Sequence, residues 1–95
     1  MGIFGKKQGV APREAARRLE RGDAVLLDVR EPDEWRAGHA PGALHIPLSE
    51  LGQRVGELPD ATRIVAVCRS GGRSARATES LRRAGLQVDN LDGGM

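Results

Sequence analysis

The residues most suited to chemistry in this sequence surround its single cysteine, Cys68. It directly follows the apolar residues 64–67 and precedes a glycine-containing segment, Arg69, Ser70, Gly71, Gly72, Arg73 and Ser74. A strand, a glycine loop and a helix in this order can direct several backbone N–H groups and the helix dipole at one anion. These groups and Arg73 would stabilise a thiolate, so we expect the Cys68 pKa to lie well below its usual value of ~8.5. The same N–H groups would hold the oxygens or outer sulfur of an anionic substrate.

A structural interpretation of Cys68 has to be weighed against this reactive one. A free cysteine is commonly a small buried hydrophobe that completes a core strand. The surrounding charge favours the reactive interpretation, because residues 68–83 carry five arginines and one glutamate. A single cysteine also excludes an internal disulfide bond and a cysteine-cluster metal site.

Composition excludes several classes of partner. The 95 residues carry a formal net charge of +2, and only 2% are aromatic, so bases of single-stranded nucleic acid have almost nothing to stack on. The longest apolar run, residues 64–68, is too short to cross a membrane. The positive charge is local to the thiol, which favours a small anion as partner and neither nucleic acid nor membrane. The chain start lacks the apolar core of a signal peptide, so we expect a cytoplasmic location.

Hydrophobic patterning predicts one α/β domain over residues 10–95, after a Gly- and Lys-rich flexible leader at 1–9. Alternating strands and helices imply a small parallel sheet of about five strands, flanked by helices on both faces. Predicted strands end at Val10 and cover 24–29, 43–46, 63–68 and 87–91. Predicted helices cover 12–21, 33–37, 50–57 and 73–84. Ser49 is expected to cap the third helix through its hydroxyl.

Polar residues near the predicted carboxyl edge of the sheet have two possible roles. Asp28 could accept loop N–H bonds while Arg30 pairs with Glu34, or Asp28 and Arg30 could form a strand-end salt bridge. The second role is favoured for Arg30, and both remain open for Asp28. Arg73, in the first turn of a helix, is expected to meet an anion or a carboxylate, because a cation there opposes the dipole. Arg69 is expected at the pocket mouth.

The aromatic and imidazole side chains favour structural roles. His39 precedes a Pro-Gly turn, and His45 lies in a predicted short strand. Neither has a carboxylate at ligand spacing, so no metal site is expected. Trp35 is expected to be an apolar anchor of its acidic segment.

Four short motifs in order resemble the rhodanese family of sulfurtransferases, and together they cover nearly the whole chain. They are residues 27–35 (LDVREPDEW), 38–43 (GHAPGA), 68–74 (CRSGGRS) and 91–95 (LDGGM). The resemblance implies a five-stranded parallel sheet and a cysteine that carries sulfur as a persulfide. It also implies a structural role for His39. In the family the chain usually continues beyond the Gly-Gly-Met turn into a covering helix, so either the fold here manages without that helix or the sequence is truncated after Met95.

Loop length separates sulfur transfer from phosphoryl transfer. Four residues lie between Cys68 and Arg73, whereas phosphatases of similar fold have five, and their wider loop fits a tetrahedral phosphate. The resemblance implies a double displacement without metal or organic cofactor. Cys68 would take the outer sulfur of a thiosulfate-like donor, and a thiol, cyanide or a protein cysteine would then accept it.

Other functions remain as alternatives. A carrier module would use the same persulfide but deliver it to a protein partner, with poor turnover on small molecules. A non-catalytic interaction domain ranks lower, because such domains usually lose the cysteine. A phosphatase or arsenate reductase ranks last because of the short loop.

Overall fold

The computed structural model of the protein describes residues 9–59 and 62–95, so the predicted leader lies outside the described residues except for Gly9. Five parallel strands form one sheet in the order β1-β5-β4-β2-β3. The strands are β1 Gly9–Val10, β2 Ala24–Asp28, β3 Leu44–His45, β4 Arg63–Val67 and β5 Val88–Leu91. The helices are α1 Pro12–Glu20, α2 Pro32–Ala37, α3 Leu51–Arg54 and α4 Gly72–Arg83. The predicted fold class is confirmed, and the predicted elements end within a few residues of the observed ones.

Alternate residues of the central strand β4 pack against different helices on the two faces of the sheet. Side chains alternate along a strand, so Ile64, Ala66 and the following Cys68 point to one face, while Val65 points to the other. Apolar residues of α3 and α4 cover the first face, and those of α1 cover the second. Cys68 therefore belongs to the same layer as α4, the helix that begins just after it.

The third helix differs from its prediction. Only Leu51–Arg54 is α-helical, between 3₁₀ turns at Leu48–Glu50 and Val55–Glu57. The predicted Ser49 cap is wrong, because Ser49 lies inside the first 3₁₀ turn and no side-chain hydrogen bond caps this helix. Arg54, the last residue of α3, donates to the carboxylates of Glu50 and Glu57 at 2.8 and 2.9 Å.

The register of the central strands sets which residues meet at the carboxyl edge. Asp28 of β2 lies beside Val67 of β4, and Ala66 of β4 lies beside Asn90 of β5. Ends of β2, β4 and β5 therefore converge around the Cys68 loop. Among the described residues, no helix has both the length and the apolar character needed to cross a bilayer.

Candidate functional site

The Cys68 thiol is held within the loop that follows it. Its Sγ lies 3.1 Å from the Gly71 N–H nitrogen, 3.4 Å from the Ser74 N–H nitrogen and 3.3 Å from Ser74 Oγ. Gly71 has a φ of +100°, a left-handed conformation that favours glycine and lets the loop curl around the sulfur. Residue Cys68 is completely buried. The loop therefore forms a closed nest of donors around one sulfur atom.

The electrostatics of this nest favour the thiolate. Burial by itself raises the pKa of Cys68, but hydrogen bonds from the Ser74 hydroxyl and from the Ser74, Gly71 and Ser70 N–H groups outweigh it. The Cys68 pKa is consequently lowered from its usual value. Gly72 starts α4, whose N-terminus adds its positive dipole end on the same side.

Arg73 is engaged mainly with a carboxylate. Its Nη1 and Nη2 donate to Glu34 Oε1 and Oε2 at 2.6 and 2.9 Å. The thiolate makes a smaller, longer-range contribution to the raised pKa of Arg73. The expectation that Arg73 meets a carboxylate is confirmed. Its expected stabilisation of the thiolate is limited to this longer-range attraction, because the guanidinium fork is occupied by Glu34, and the nearest donors to Sγ come from the loop.

Glu34 fastens α2 to α4. Its carboxylate accepts the Arg73 bonds and also the Glu31 N–H at 2.9 Å, closing a capping box at the start of α2. The Arg73 hydrogen bonds, and then the Glu31 N–H, lower the pKa of Glu34 to about 2. This pair joins α2 to α4 through two residues that are 39 positions apart in the chain.

The Glu34 contribution to stability should depend on pH in a defined window. A carboxyl whose folded pKa is depressed stabilises the fold above its unfolded pKa of about 4.3 and loses that effect as pH falls. We expect the native chain to unfold at higher urea than Glu34→Gln at pH 6, with the difference vanishing as the pH approaches 2. A difference that stays constant from pH 6 to pH 2 would mean that the charge of Glu34 does not matter.

Asp28 and Arg30 form the strand-end salt bridge. Arg30 Nε and Nη2 donate to the Asp28 carboxylate at 2.8 to 3.0 Å, and the Arg30 N–H donates to Oδ1 at 2.9 Å. Arg30 Nη2 also donates to the Gly38 carbonyl at 2.8 Å. The alternative pairing of Arg30 with Glu34 is wrong, since Arg73 takes that carboxylate. Within the described residues, the Asp28 carboxylate accepts no N–H from the Cys68 loop, and its donors belong to Arg30.

Trp35 lies in a stack of three rings. The His39 ring centroid is 3.5 Å from that of Trp35, and the His45 centroid is 4.6 Å away. Nitrogens of His39 and His45 also lie 2.8 Å from the Trp35 and Arg30 carbonyl oxygens. These contacts agree with structural roles for both histidines and keep α2 against β3.

An open groove of about 530 Å³ lies beside the loop. Arg69 lines it and is exposed, as expected for a residue at the pocket mouth. The remaining lining residues are Arg30, Glu34, Ala37, Gly38, His39, Ala40 and Met95.

Asn90 belongs to this site although sequence reasoning did not select it. Its Nδ2 donates to the Gly71 carbonyl at 3.1 Å, and its Oδ1 accepts from the Ser74 hydroxyl. The available signal was a polar residue near the carboxyl end of the last predicted strand. That signal points to the Cys68 loop only once β5 is known to lie beside β4, and the strand order shows this adjacency.

The fold agrees with what comparison with known proteins shows. This chain belongs to the rhodanese-like domain family, whose model matches residues 11–95. A human single-domain sulfurtransferase, TSTD1, has a similar structure with a TM-score of 0.84 and 31% identity, covering 95% of this chain and 93% of TSTD1.

Two curated relatives are longer proteins. The HTH-type transcriptional regulator Rv0324 of Mycobacterium tuberculosis is 41% identical over 97 residues, which cover 98% of this chain and 42% of the regulator. The putative sulfur carrier protein YrkF of Bacillus subtilis is 41% identical over 71 residues, covering 74% of this chain and 38% of YrkF. This chain thus spans about two fifths of the length of these curated relatives.

Proposed function

We propose that this protein is a sulfurtransferase that carries a sulfane sulfur as a persulfide on Cys68. The observation that carries the proposal is the nest of loop donors around Sγ at the end of a central parallel strand. Membership of the rhodanese-like family and similarity to a human single-domain sulfurtransferase support it. No metal or organic cofactor enters the proposed reaction.

The reaction is a double displacement with thiosulfate as the simplest donor. The Cys68 thiolate attacks the outer sulfur of thiosulfate, the sulfur–sulfur bond of the donor breaks, and sulfite leaves with the bonding electrons. The product is a Cys68 persulfide whose negative charge lies on the outer sulfur. An acceptor such as cyanide then attacks that outer sulfur, leaves as thiocyanate and restores the thiolate.

The loop supplies binding for both charged states. Donors at Gly71 and Ser74 contact the inner sulfur, while the N-terminal N–H groups of α4 are suited to the outer sulfur and to donor oxygens. Because Cys68 has no exposed surface, a donor reaches Sγ only after a side-chain rotation or an opening of the loop. Arg69, exposed at the mouth, is placed to attract an anionic donor.

The lowered Cys68 pKa leads to a direct prediction. Because loop hydrogen bonds stabilise the thiolate, alkylation of Cys68 by iodoacetamide should reach half of its maximal rate at a lower pH in the folded protein than in urea. Rates measured from pH 5 to pH 10 check this. Equal midpoints in the two states would contradict an activated thiolate.

A carrier module is the second candidate, favoured by the similarity to the putative sulfur carrier YrkF. Both candidates use the Cys68 persulfide, so they differ only in acceptor. The discriminating experiment loads the protein with thiosulfate and compares turnover to cyanide with transfer to a reduced protein thiol. Sustained thiocyanate formation supports the enzyme, whereas rapid protein transfer with negligible thiocyanate supports the carrier. A phosphatase would instead hydrolyse an aryl phosphate, and we expect no hydrolysis.

A further inference from the structure

The Ser74 hydroxyl lies among three acceptors that compete for one proton. Ser74 Oγ is 2.5 Å from Asn90 Oδ1, and it is 3.3 Å from both Cys68 Sγ and the Gly71 carbonyl oxygen. A hydroxyl has a single proton to donate. The shorter distance assigns that proton to Asn90 when Cys68 is a neutral thiol, and the thiol can then donate its own proton to Ser74 Oγ.

The amide orientation of Asn90 is determined by its other contact. Nδ2 donates to the Gly71 carbonyl at 3.1 Å, and the same carbonyl accepts the Ala75 N–H at 2.9 Å at the start of α4. Turning the amide over would place Oδ1 against the Gly71 oxygen, where two acceptors repel each other. Oδ1 therefore faces Ser74 and competes for its proton.

Ionisation of Cys68 changes the balance. The thiolate has no proton for Ser74 Oγ, so the hydroxyl stabilises it only when the hydroxyl proton turns away from Asn90, whereas the Ser74 N–H donates to Sγ in either case. We propose that Asn90 is a positioning residue that competes with Sγ for the Ser74 hydroxyl proton and thereby limits how strongly the site stabilises negative charge on Sγ. This role of Asn90 concerns the site of the proposed sulfur transfer, and its functional meaning rests on that proposal.

The role of Asn90 follows from which sulfur atom carries the negative charge at each stage of transfer. Before loading, the negative charge lies on Sγ and draws the Ser74 proton from Asn90. After loading, the charge lies on the outer sulfur, Sγ is uncharged, and the proton returns to Oδ1. Asn90 therefore favours the loaded state over the unloaded thiolate, as a site that retains a carried sulfur requires.

The test compares the effect of one substitution in three backgrounds. The Cys68 pKa is measured from the pH dependence of iodoacetamide alkylation, with and without Ser74→Ala, in the native chain, in Asn90→Leu and in Asn90→Asp. Leucine removes both amide atoms at similar volume, whereas aspartate keeps an oxygen acceptor and strengthens it. Each comparison is made within one background, so the lost bond to the Gly71 carbonyl cancels.

We expect the upward pKa shift caused by Ser74→Ala to be largest in Asn90→Leu, smaller in the native chain and smallest in Asn90→Asp. Hydrogen bonds to charged groups predict a shift of roughly one pH unit or more in Asn90→Leu. Equal shifts in the three backgrounds, or the reverse order, would overturn the proposal. If Asn90→Leu does not fold, Asn90→Asp against the native chain makes the same comparison in the opposite direction.

The native charged groups of the loop and of the elements around it are kept in every variant. They are Arg69 in the loop, the Arg73–Glu34 pair between α4 and α2, the pair of Asp28 at the end of β2 with Arg30, and Asp89 of β5 with Arg18 and Arg82. The pKa measurement needs no sulfur donor. Failure of the folded native chain to form a persulfide, with thiosulfate and with a protein persulfide donor, would therefore refute the proposed function while leaving the Asn90 result to stand or fall by itself.

Discussion

Replacement of Cys68 by alanine should reduce sulfur transfer from thiosulfate to cyanide by roughly a thousandfold or more, because the nucleophile that bonds to sulfur is removed. The loop N–H groups remain, but backbone donors cannot hold sulfur covalently. Thiocyanate formation measured with equal amounts of native and variant protein tests this directly. Because Cys68 is buried in the core layer, circular dichroism and a urea transition must accompany the assay.

Two further variants make the Cys68 result specific. Cys68→Ser keeps a side chain of nearly the same size and should be equally inactive, because a hydroxyl at this position forms no persulfide. Ser80→Ala removes an exposed side chain on α4, away from the loop, and should leave the rate unchanged. Transfer that persists in a folded Cys68→Ala protein would show that another group carries the sulfur.

Gly94→Ala should destabilise the fold by roughly 2 to 4 kcal/mol, combining the strain of a left-handed alanine with an overpacked contact. A Cβ at Gly94 would lie 2.4 Å from the Arg69 carbonyl oxygen and 2.7 Å from that of Cys68, and both are backbone atoms that cannot move independently of the loop. Urea unfolding measures the loss. Displacement of the Cys68–Arg69 backbone should also lower sulfur transfer.

Gly93→Ala is the matched control for Gly94→Ala. Gly93 has a φ of +79° and Gly94 a φ of +70°, but a Cβ at Gly93 would meet nothing within 4 Å. The control variant should therefore lose only the conformational part, about 1 kcal/mol. Equal losses in the two variants would show that the contact with the loop backbone contributes nothing.

Local patterns explain why most of the fold was predictable. The run of apolar residues in β4 and the apolar stripe of α4 each identify an element without knowledge of its neighbours. The third helix was mispredicted because a single serine seemed a sufficient cap for residues 50–57. In the structure, Ser49 lies inside a 3₁₀ turn, and only four residues keep α-helical geometry.

It was harder to predict from the sequence which side chains pair with each other at the site than which residues belong to it. Sequence indicated that Arg73 needs an anion, but Glu34 is 39 residues away and meets it only because α2 lies beside the start of α4. Arg30 was within reach of Glu34 in sequence and bonds instead to Asp28, two residues before it. Asn90 was missed because its role requires the adjacency of β4 and β5, which no local pattern encodes.

The central claim, a persulfide on Cys68, is tested most directly by the intact mass of the protein after incubation with thiosulfate. The account predicts a mass gain of one sulfur atom, reversed by dithiothreitol or cyanide and absent from Cys68→Ala. Absence of the gain in folded native protein would contradict thiosulfate as donor. Absence after incubation with a protein persulfide donor as well would contradict sulfur transfer altogether.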